Sequence, residues 1–374
     1  MTAGRSQKES WNCVPRLFLH MEVYMNEKNI QYTTIEQQIE NLRSQNLIIN
    51  HEDFAKESLI LFGYSNLIKS YREPYTIFSE DKKFFRSGVS FEQICSLYIL
   101  DKNLRNAVMA SMLDLEEHIK EAAADVIAQS FGVHQDAYLT YRNYQNKRKR
   151  KYRFTLPAIL DKMRETLDTD KDPIHHYLHE HGIVPPWILF KSVYLSTVIN
   201  FIDLFKLDQQ FGMVARLYNK DSLGIPEEKL PQLMMDTLYT FLDYRNRAAH
   251  GGRIYNYNCN VCFHAADSFH YSVQGFSQLL FMLSLLKYKN PYKHLENALR
   301  KEINRHCTDF PSDLTYLGQT LNMNIEVSHI VYITEKSKKY HADIHCSGMT
   351  NAKKIELSEA KALNYIPCKR CCTQ

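Results

Sequence analysis

The sequence predicts a mainly α protein, a long helical body followed by a small metal-bound α+β module. Three observations lead there. Apolar residues recur at helical spacing through most of the chain, most persistently from Phe91 to Phe131. Glycine and proline are scarce, 12 and 11 among 374 residues, beside 24 tyrosines and 19 phenylalanines, a balance that suits helices packed through aromatic side chains. The last fifty residues then change character: β-branched Val327, Ile330, Val331 and Ile333 alternate loosely, and four of the nine cysteines fall from Cys346 onward.

Composition excludes several classes. A hydrophobic fraction of 44% and a charged fraction of 24% are those of an ordinary globular chain. A net charge of +4 is too mild to specify a nucleic-acid partner unless the charge is clustered. The most apolar run, Phe276 to Leu286, is interrupted by Ser277, Gln278 and Ser284, so it reads as a buried helix and no membrane partner is expected. Trp11 to Met25 contains Arg16, His20 and Glu22 and lacks the ordered regions of a secretory signal, which points to the cytoplasm. Nine cysteines then read as free thiols plus one metal site. No glycine-rich phosphate loop and no nucleophile elbow is written in the sequence, which argues against nucleotide hydrolysis and serine-hydrolase chemistry.

Residues 1–29 have no clear periodicity and read as an extension, with Met25 a candidate start. A helical domain is expected over 30–299. Thr34 offers an N-cap hydroxyl with Gln37 three residues on, and Ile35, Ile39 and Leu42 follow on one face. A second helix is expected over Glu52 to Leu61, then a loop or short turn from Tyr64 to Pro74. Phe91 to Phe131 carries a broad apolar stripe closed by Gly132, with a bend or division expected near Asp101. The strip Lys147, Arg148, Lys149, Arg150 and Lys151 lies between Tyr144 and Tyr152. It reads either as a solvated loop or as a track for an RNA backbone with tyrosines for base stacking. Helices follow over Pro157 to Leu167, from Pro185-Pro186-Trp187 to about Phe205, from about Leu230 to the Gly251-Gly252 pair, and from Ala265 to Lys287. Residues 300–325 are polar and mixed and read as a linker; 326–374 form the separate module.

The most informative segment is Tyr244-Arg245-Asn246-Arg247-Ala248-Ala249-His250, followed by Gly251, Gly252, Arg253 and Asn256. A histidine can move a proton near neutral pH, and a guanidinium can hold a phosphate oxygen as charge builds, so Arg245 and His250 are the minimum equipment for cutting RNA without a metal. Residues five apart stand about 140° apart around a straight helix. The pair converges only if the arginine reaches across or the helix ends near the histidine, and the glycines favour the second. A histidine in the last turn also meets the negative end of the helix dipole, which favours its protonated form.

This motif resembles the terminal motif of the Abi-like (abortive infection) family, a branch of the HEPN helical-bundle superfamily. The resemblance extends to Thr34 through Leu42 with Leu47-Ile48-Ile49, to Phe91-Glu92-Gln93-Ile94 with Leu97-Tyr98 and Asp101-Lys102-Asn103-Leu104-Arg105, and to Pro185-Pro186-Trp187. The chain departs from the family pattern at Lys120, where an arginine is usual, at Lys191, where a glutamate is usual, and at Tyr194-Leu195-Ser196 in place of Ser-Phe-Gly. The resemblance implies a HEPN-type bundle and a metal-independent endoribonuclease acting as a phage-defence toxin. In such enzymes the 2′-hydroxyl attacks the adjacent phosphate. It implies His250 as proton-transfer residue, Arg245 on the phosphorane, and Asn246 orienting the pair. Arg253 and Asn256 would either hold the loop or contact RNA. Because one histidine serves poorly as both acid and base, it further implies a homodimer with two facing motifs, restrained by an RNA or protein antitoxin. Two other readings stay open: a non-catalytic RNA-binding or partner-binding HEPN regulator, and a scaffold whose C-terminal module recruits a partner.

In that module, His341, Cys346, Cys368 and Cys371 supply a thiolate-rich ligand set for zinc, with His345 the alternative histidine and Cys372 an extra thiol. A fifty-residue piece has too little core to fold alone, so metal supplies the missing stability. Ser358 would cap a short intervening helix. The string from Val331 to Cys371 resembles the Ada-like metal-binding module of several nucleic-acid-processing proteins, although four residues separate His341 from Cys346 where three are usual. That module is either structural or presents Lys353, Lys354, Lys369 and Arg370 to nucleic acid. Cys259-x-x-Cys262 with His264 lacks a second pair and is not expected to hold metal. His175, His176, His179 and His181 read as a solvated helix end.

Overall fold

A computed structural model describes residues 31–79, 82–146, 155–269, 274–325, 330–335, 337–342, 344, 346 and 349–372. The strip Lys147 to Lys151 and the alternative ligand His345 lie outside the described residues, as do residues 1–30. The chain opens with α1 (Ile35–Ser44), where Thr34 Oγ1 accepts from Gln37 N and Gln37 Oε1 accepts from Thr34 N, the reciprocal capping box expected. Helix α2 is Glu52–Phe62. The stretch after it is more ordered than a loop: a π-helical turn (Ser65–Lys69) and a 3₁₀ turn (Glu73–Tyr75) lead into an antiparallel hairpin of β1 (Thr76–Ser79) and β2 (Lys82–Phe85).

Helix α3 runs unbroken from Phe91 to Phe131, capped by Ser90 and ended by Gly132 at φ +82°. The division allowed for near Asp101 does not occur; 41 helical residues make an axis about 60 Å long. It is the spine of the fold. Later helices lie against it, most extensively α7 (Pro186–Ser192), α9 (Leu207–Leu217), α10 (Leu230–Ala249) and α12 (Asn290–Asp309). Residues from Phe91 to Ile127 are accordingly buried around most of its circumference, as a central helix requires. The remaining helices are α4 (Gln135–Tyr138), α5 (Leu156–Leu167), α6 (Ile174–His181), α8 (Leu195–Ile202), α11 (Phe276–Leu285) and α13 (Leu314–Leu321). The helix expected from Pro186 to Phe205 is therefore two, parted at Val193 and Tyr194. The one expected from Ala265 is a 3₁₀ turn (Ala266–Phe269) and then α11.

Residues 300–325 are not a linker. Helix α12 continues through them to Asp309, and Leu317 and Leu321 of α13 are buried in the main core. Their polar composition reflects a buried network. His306, wholly enclosed, meets Ser96 Oγ through Nδ1 and Asp313 Oδ2 through Nε2, both at 2.9 Å. Asp313 also accepts from Tyr75 Oη at 2.5 Å and Gln93 Nε2 at 2.8 Å, which ties α3, α12 and α13 together. The Ser-His-Asp sequence of contacts is a fastener rather than a nucleophile relay, because Ser96 Oγ also accepts from Arg305 Nη1 at 3.0 Å and stands mid-helix. Substituting His306→Ala should cost about 3 kcal/mol, since it opens a cavity and strips two buried polar groups of a partner. Urea unfolding measures this; a loss under about 1 kcal/mol would contradict the network's role.

The last described segment has its own small core. A four-stranded sheet, ordered β5 (Lys353–Glu356), β3 (Ile330–Thr334), β4 (Ser337–His341), β6 (Ile366–Pro367), packs Val331 and Ile333 against Ala360 of α14 (Leu357–Ala362). Helix α14 begins at Leu357 with Glu356 in the cap position, so Ser358 stands inside the helix rather than before it.

Candidate active site and metal centre

Helix α10 ends where the motif needs it to end. Pro231 opens the helix and Leu233, Leu238, Phe241 and Tyr244 bury its core face, with Arg245 just before the last turn and Asn246 in it. His250 is the C-cap, at φ −90° and ψ 12°, and its N–H still donates to Asn246 O at 3.0 Å. Gly251 then takes φ +71°, a conformation that favours glycine, and turns the chain back. Gly252 N donates to Arg247 O at 2.9 Å, and a Cβ at Gly252 would lie 2.3 Å from Arg247 Nε. Gly251 is therefore favoured by the turn's backbone, and Gly252 by the Arg247 side chain that lies against it.

This arrangement leaves the imidazole of His250 exposed. Arg245 is half-buried; its Nη1 donates to Asn246 Oδ1 at 3.4 Å, while its Nε is buried with no hydrogen-bond partner among the described residues. Asn246 thus touches Arg245 through its side chain and His250 through its backbone. Arg245 and His250 thus stand at the same end of α10, one half-buried and one exposed, and a guanidinium there can pair with an anion.

The loop after the motif is tightly held. Arg247 lies over the Tyr257 ring at 4.8 Å and donates through Nε to Arg253 O at 3.2 Å. The Arg253 guanidinium donates to Ser70 O at 2.7 Å, so in this geometry it anchors the loop to the turn after α2. Asn256 is half-buried in the same loop. The firmest attachment comes from α3. Asp101, wholly buried, accepts through Oδ1 from Ile254 N at 2.8 Å and Tyr255 N at 2.9 Å. Its Oδ2 accepts from Tyr71 Oη at 2.5 Å and Arg105 Nη1 at 2.8 Å. The sequence held a signal for this: Asp101 interrupts the apolar series Ile94, Leu97, Leu104, Val108, and an acid on a core stripe needs partners.

Other residues noted in the sequence sit elsewhere. Tyr144 is committed to the core, stacked among Phe131, Phe201 and Phe205, and does not offer its ring to a base. Lys120 pairs with Glu116 at 2.8 Å and lines, with Lys191 and Trp187, a cavity of about 870 Å³ between α3 and α7. That cavity is roughly 20 Å along α3 from Asp101, away from the motif's loop. His264 binds Asp236, Nδ1 to Oδ1 at 2.9 Å. Burial, and then the Asp243 carboxylate, push the Cys259 thiol up to about 12, while Cys262 is exposed. Iodoacetamide at pH 8 should therefore modify Cys262 and spare Cys259, read by peptide mass; equal labelling would contradict the assigned environment.

Among the described residues, one group has ligand atoms close enough to share an ion: His341, Cys346, Cys368 and Cys371, all within 4.8 Å of one another. Cys346 Sγ and Cys368 Sγ are 3.9 Å apart, and Cys371 Sγ is 3.5 Å from His341 Nδ1. Thiolates each about 2.3 Å from one tetrahedral ion stand about 3.8 Å apart, so the donor set fits. The Arg370 N–H, donating to Cys368 Sγ, holds that thiol below its ordinary value, which suits a metal ligand. Cys372 lies outside the set, with Sγ against Tyr340 O at 3.5 Å. Lys353 is paired with Glu335 at 2.7 Å, and Lys354, Lys369 and Arg370 are exposed.

Among the described residues no helix is long and apolar enough to cross a membrane. Neither the curated proteins nor the solved structures contain a match to the chain. A family model described as Abi-like protein matches residues 57–256, just over half of the sequence, from within α2 through the loop that follows His250. By that match, which takes in the spine helix, Asp101 and the whole Arg245–His250 turn, the chain belongs to the Abi-like family.

Proposed function

We propose that this Abi-like protein is a metal-independent endoribonuclease of abortive infection, with Arg245 and His250 as its working pair. The observation that carries the reading is the end of α10: His250 is exposed there as the C-cap, and Arg245, five residues earlier, is half-buried with its Nη1 on Asn246. The guanidinium holds a non-bridging phosphate oxygen, where negative charge develops as the 2′-hydroxyl attacks. His250 moves the proton, and Asn246 steadies Arg245. A second protomer supplies the histidine for the other proton transfer, so the working unit is a homodimer with two facing turns. The HEPN assignment of the bundle and control by an RNA or protein antitoxin belong to the same reading.

The C-terminal centre holds zinc through His341, Cys346, Cys368 and Cys371. Zinc there is structural, because four protein ligands leave no open position for substrate. Single-turnover cleavage of a mixed RNA pool by the full chain, with no divalent cation added, tests the enzymatic reading. Cleavage undiminished relative to added magnesium is expected. Tight RNA binding with no cleavage under either condition would instead favour the non-catalytic regulator.

A further inference from the structure

We infer that Asp101 is the positioning residue of the Arg245–His250 site: its buried carboxylate fixes the loop after His250 and, through it, where the imidazole stands. The catalytic consequence rests on the nuclease reading above; the mechanical claim rests on geometry. His250 is the C-cap of α10, and Gly251 and Gly252 close the turn, with Gly251 N donating to Ala248 O at 3.1 Å and Gly252 N to Arg247 O at 2.9 Å. Beyond Gly252 the chain has left the helix, so the helix alone does not define the path of the loop that flanks the imidazole. The next buried fixed point is four residues on, where consecutive N–H groups of Ile254 and Tyr255 converge on Asp101 Oδ1. The short connection between helix end and clamp leaves the turn little freedom.

The carboxylate itself is immobile. Tyr71 Oη and Arg105 Nη1 occupy Oδ2, and Tyr71 also stacks on Tyr255 with ring centroids 6.2 Å apart. Four donors on one enclosed carboxylate is a site for an acid and not for an amide. An asparagine keeps one acceptor oxygen and turns an N–H₂ toward either the two backbone N–H groups or the hydroxyl and guanidinium. The peripheral attachments of Arg247 and Arg253 hold the loop's outer edge, while the backbone N–H groups of Ile254 and Tyr255 go to Asp101.

The test is Asp101→Asn in the full chain, read three ways. Backbone amides of Ile254 and Tyr255 should exchange at least about tenfold faster than in the parent protein. The His250 side-chain resonances should shift. For RNA cleavage, kcat should fall on the order of 10²-fold with KM changed little, because misplacement of a reacting group by about an ångström has that effect. Should the asparagine variant not fold, Tyr71→Phe removes one donor without unpairing a backbone N–H, and about a fivefold fall in kcat with the same resonance shift is expected. Unchanged His250 resonances, or an unchanged kcat in a folded variant, would overturn the inference. A parent protein that cleaves no RNA would sink the nuclease reading alone. The amides and imidazole would then decide the positioning claim, upholding it if they respond and overturning it if they do not.

Discussion

Replacing His250 by alanine is expected to lower RNA cleavage by about 10²- to 10⁴-fold while leaving RNA affinity within a few-fold of the parent, since general acid–base groups contribute on that scale. The fold should be unaffected. His250 is exposed and caps the helix through its backbone, so truncation removes no buried contact and no side-chain hydrogen bond that holds the turn. Arg245→Lys should be nearly as damaging. Lysine keeps the charge but loses the planar fork that can grip Asn246 and a phosphate oxygen together. Gel-based single-turnover rates and filter binding on the same preparations separate the two effects. A loss of binding matching the loss of cleavage in His250→Ala would show the histidine to be a contact rather than a proton carrier.

Removal of the C-terminal metal should unfold residues 330–372 and spare the helical body. Among its described residues the module's hydrophobic core is Val331, Ile333 and Ala360, with Tyr340, Ile355, Leu357 and Tyr365 partly covered. So small a core does not offset the conformational entropy of ordering the segment, whereas a structural zinc supplies about 10–16 kcal/mol in comparable small domains. Cys368→Ser removes a buried thiolate ligand and is expected to abolish protection from hydrogen exchange across β3 to β6. Protection in α3, α10 and α12 should persist, because their contacts form a separate core. A module equally protected with the ligand removed would show that its packing suffices without metal.

The sequence made the helices legible where a cap and a periodic face agree, as at Thr34 before α1 and Ser90 before α3. It also announced the end of α10, because the glycine pair that stops the helix belongs to the motif itself. It hid whatever depends on polar residues packed inside. The segment holding His306 and Asp313 looks like a linker because its buried hydrogen-bonded groups thin out the apolar series of Ile303, Cys307, Leu317 and Leu321. Asp101 suggested a break in α3, since an acid on an apolar face is either solvated at a bend or paired in the interior, and periodicity cannot distinguish these. Tyr144 looked available for stacking because a neighbouring basic run implies a surface, yet its ring is sealed among three phenylalanines. The clustering of His341, Cys346, Cys368 and Cys371 was the most legible feature, because Cys-x-x-Cys at a turn constrains geometry by itself.

The most direct measurement of whether Arg245 and His250 cut RNA is the chemistry of the ends they leave. With no divalent cation supplied, fragments made by the full chain should carry a 2′,3′-cyclic phosphate upstream and a 5′-hydroxyl downstream, as attack by the neighbouring ribose oxygen requires. Fragments bearing 5′-phosphates and free 3′-hydroxyls, produced only when magnesium is added, would mean that water and a metal do the work, and the account of this site would be wrong.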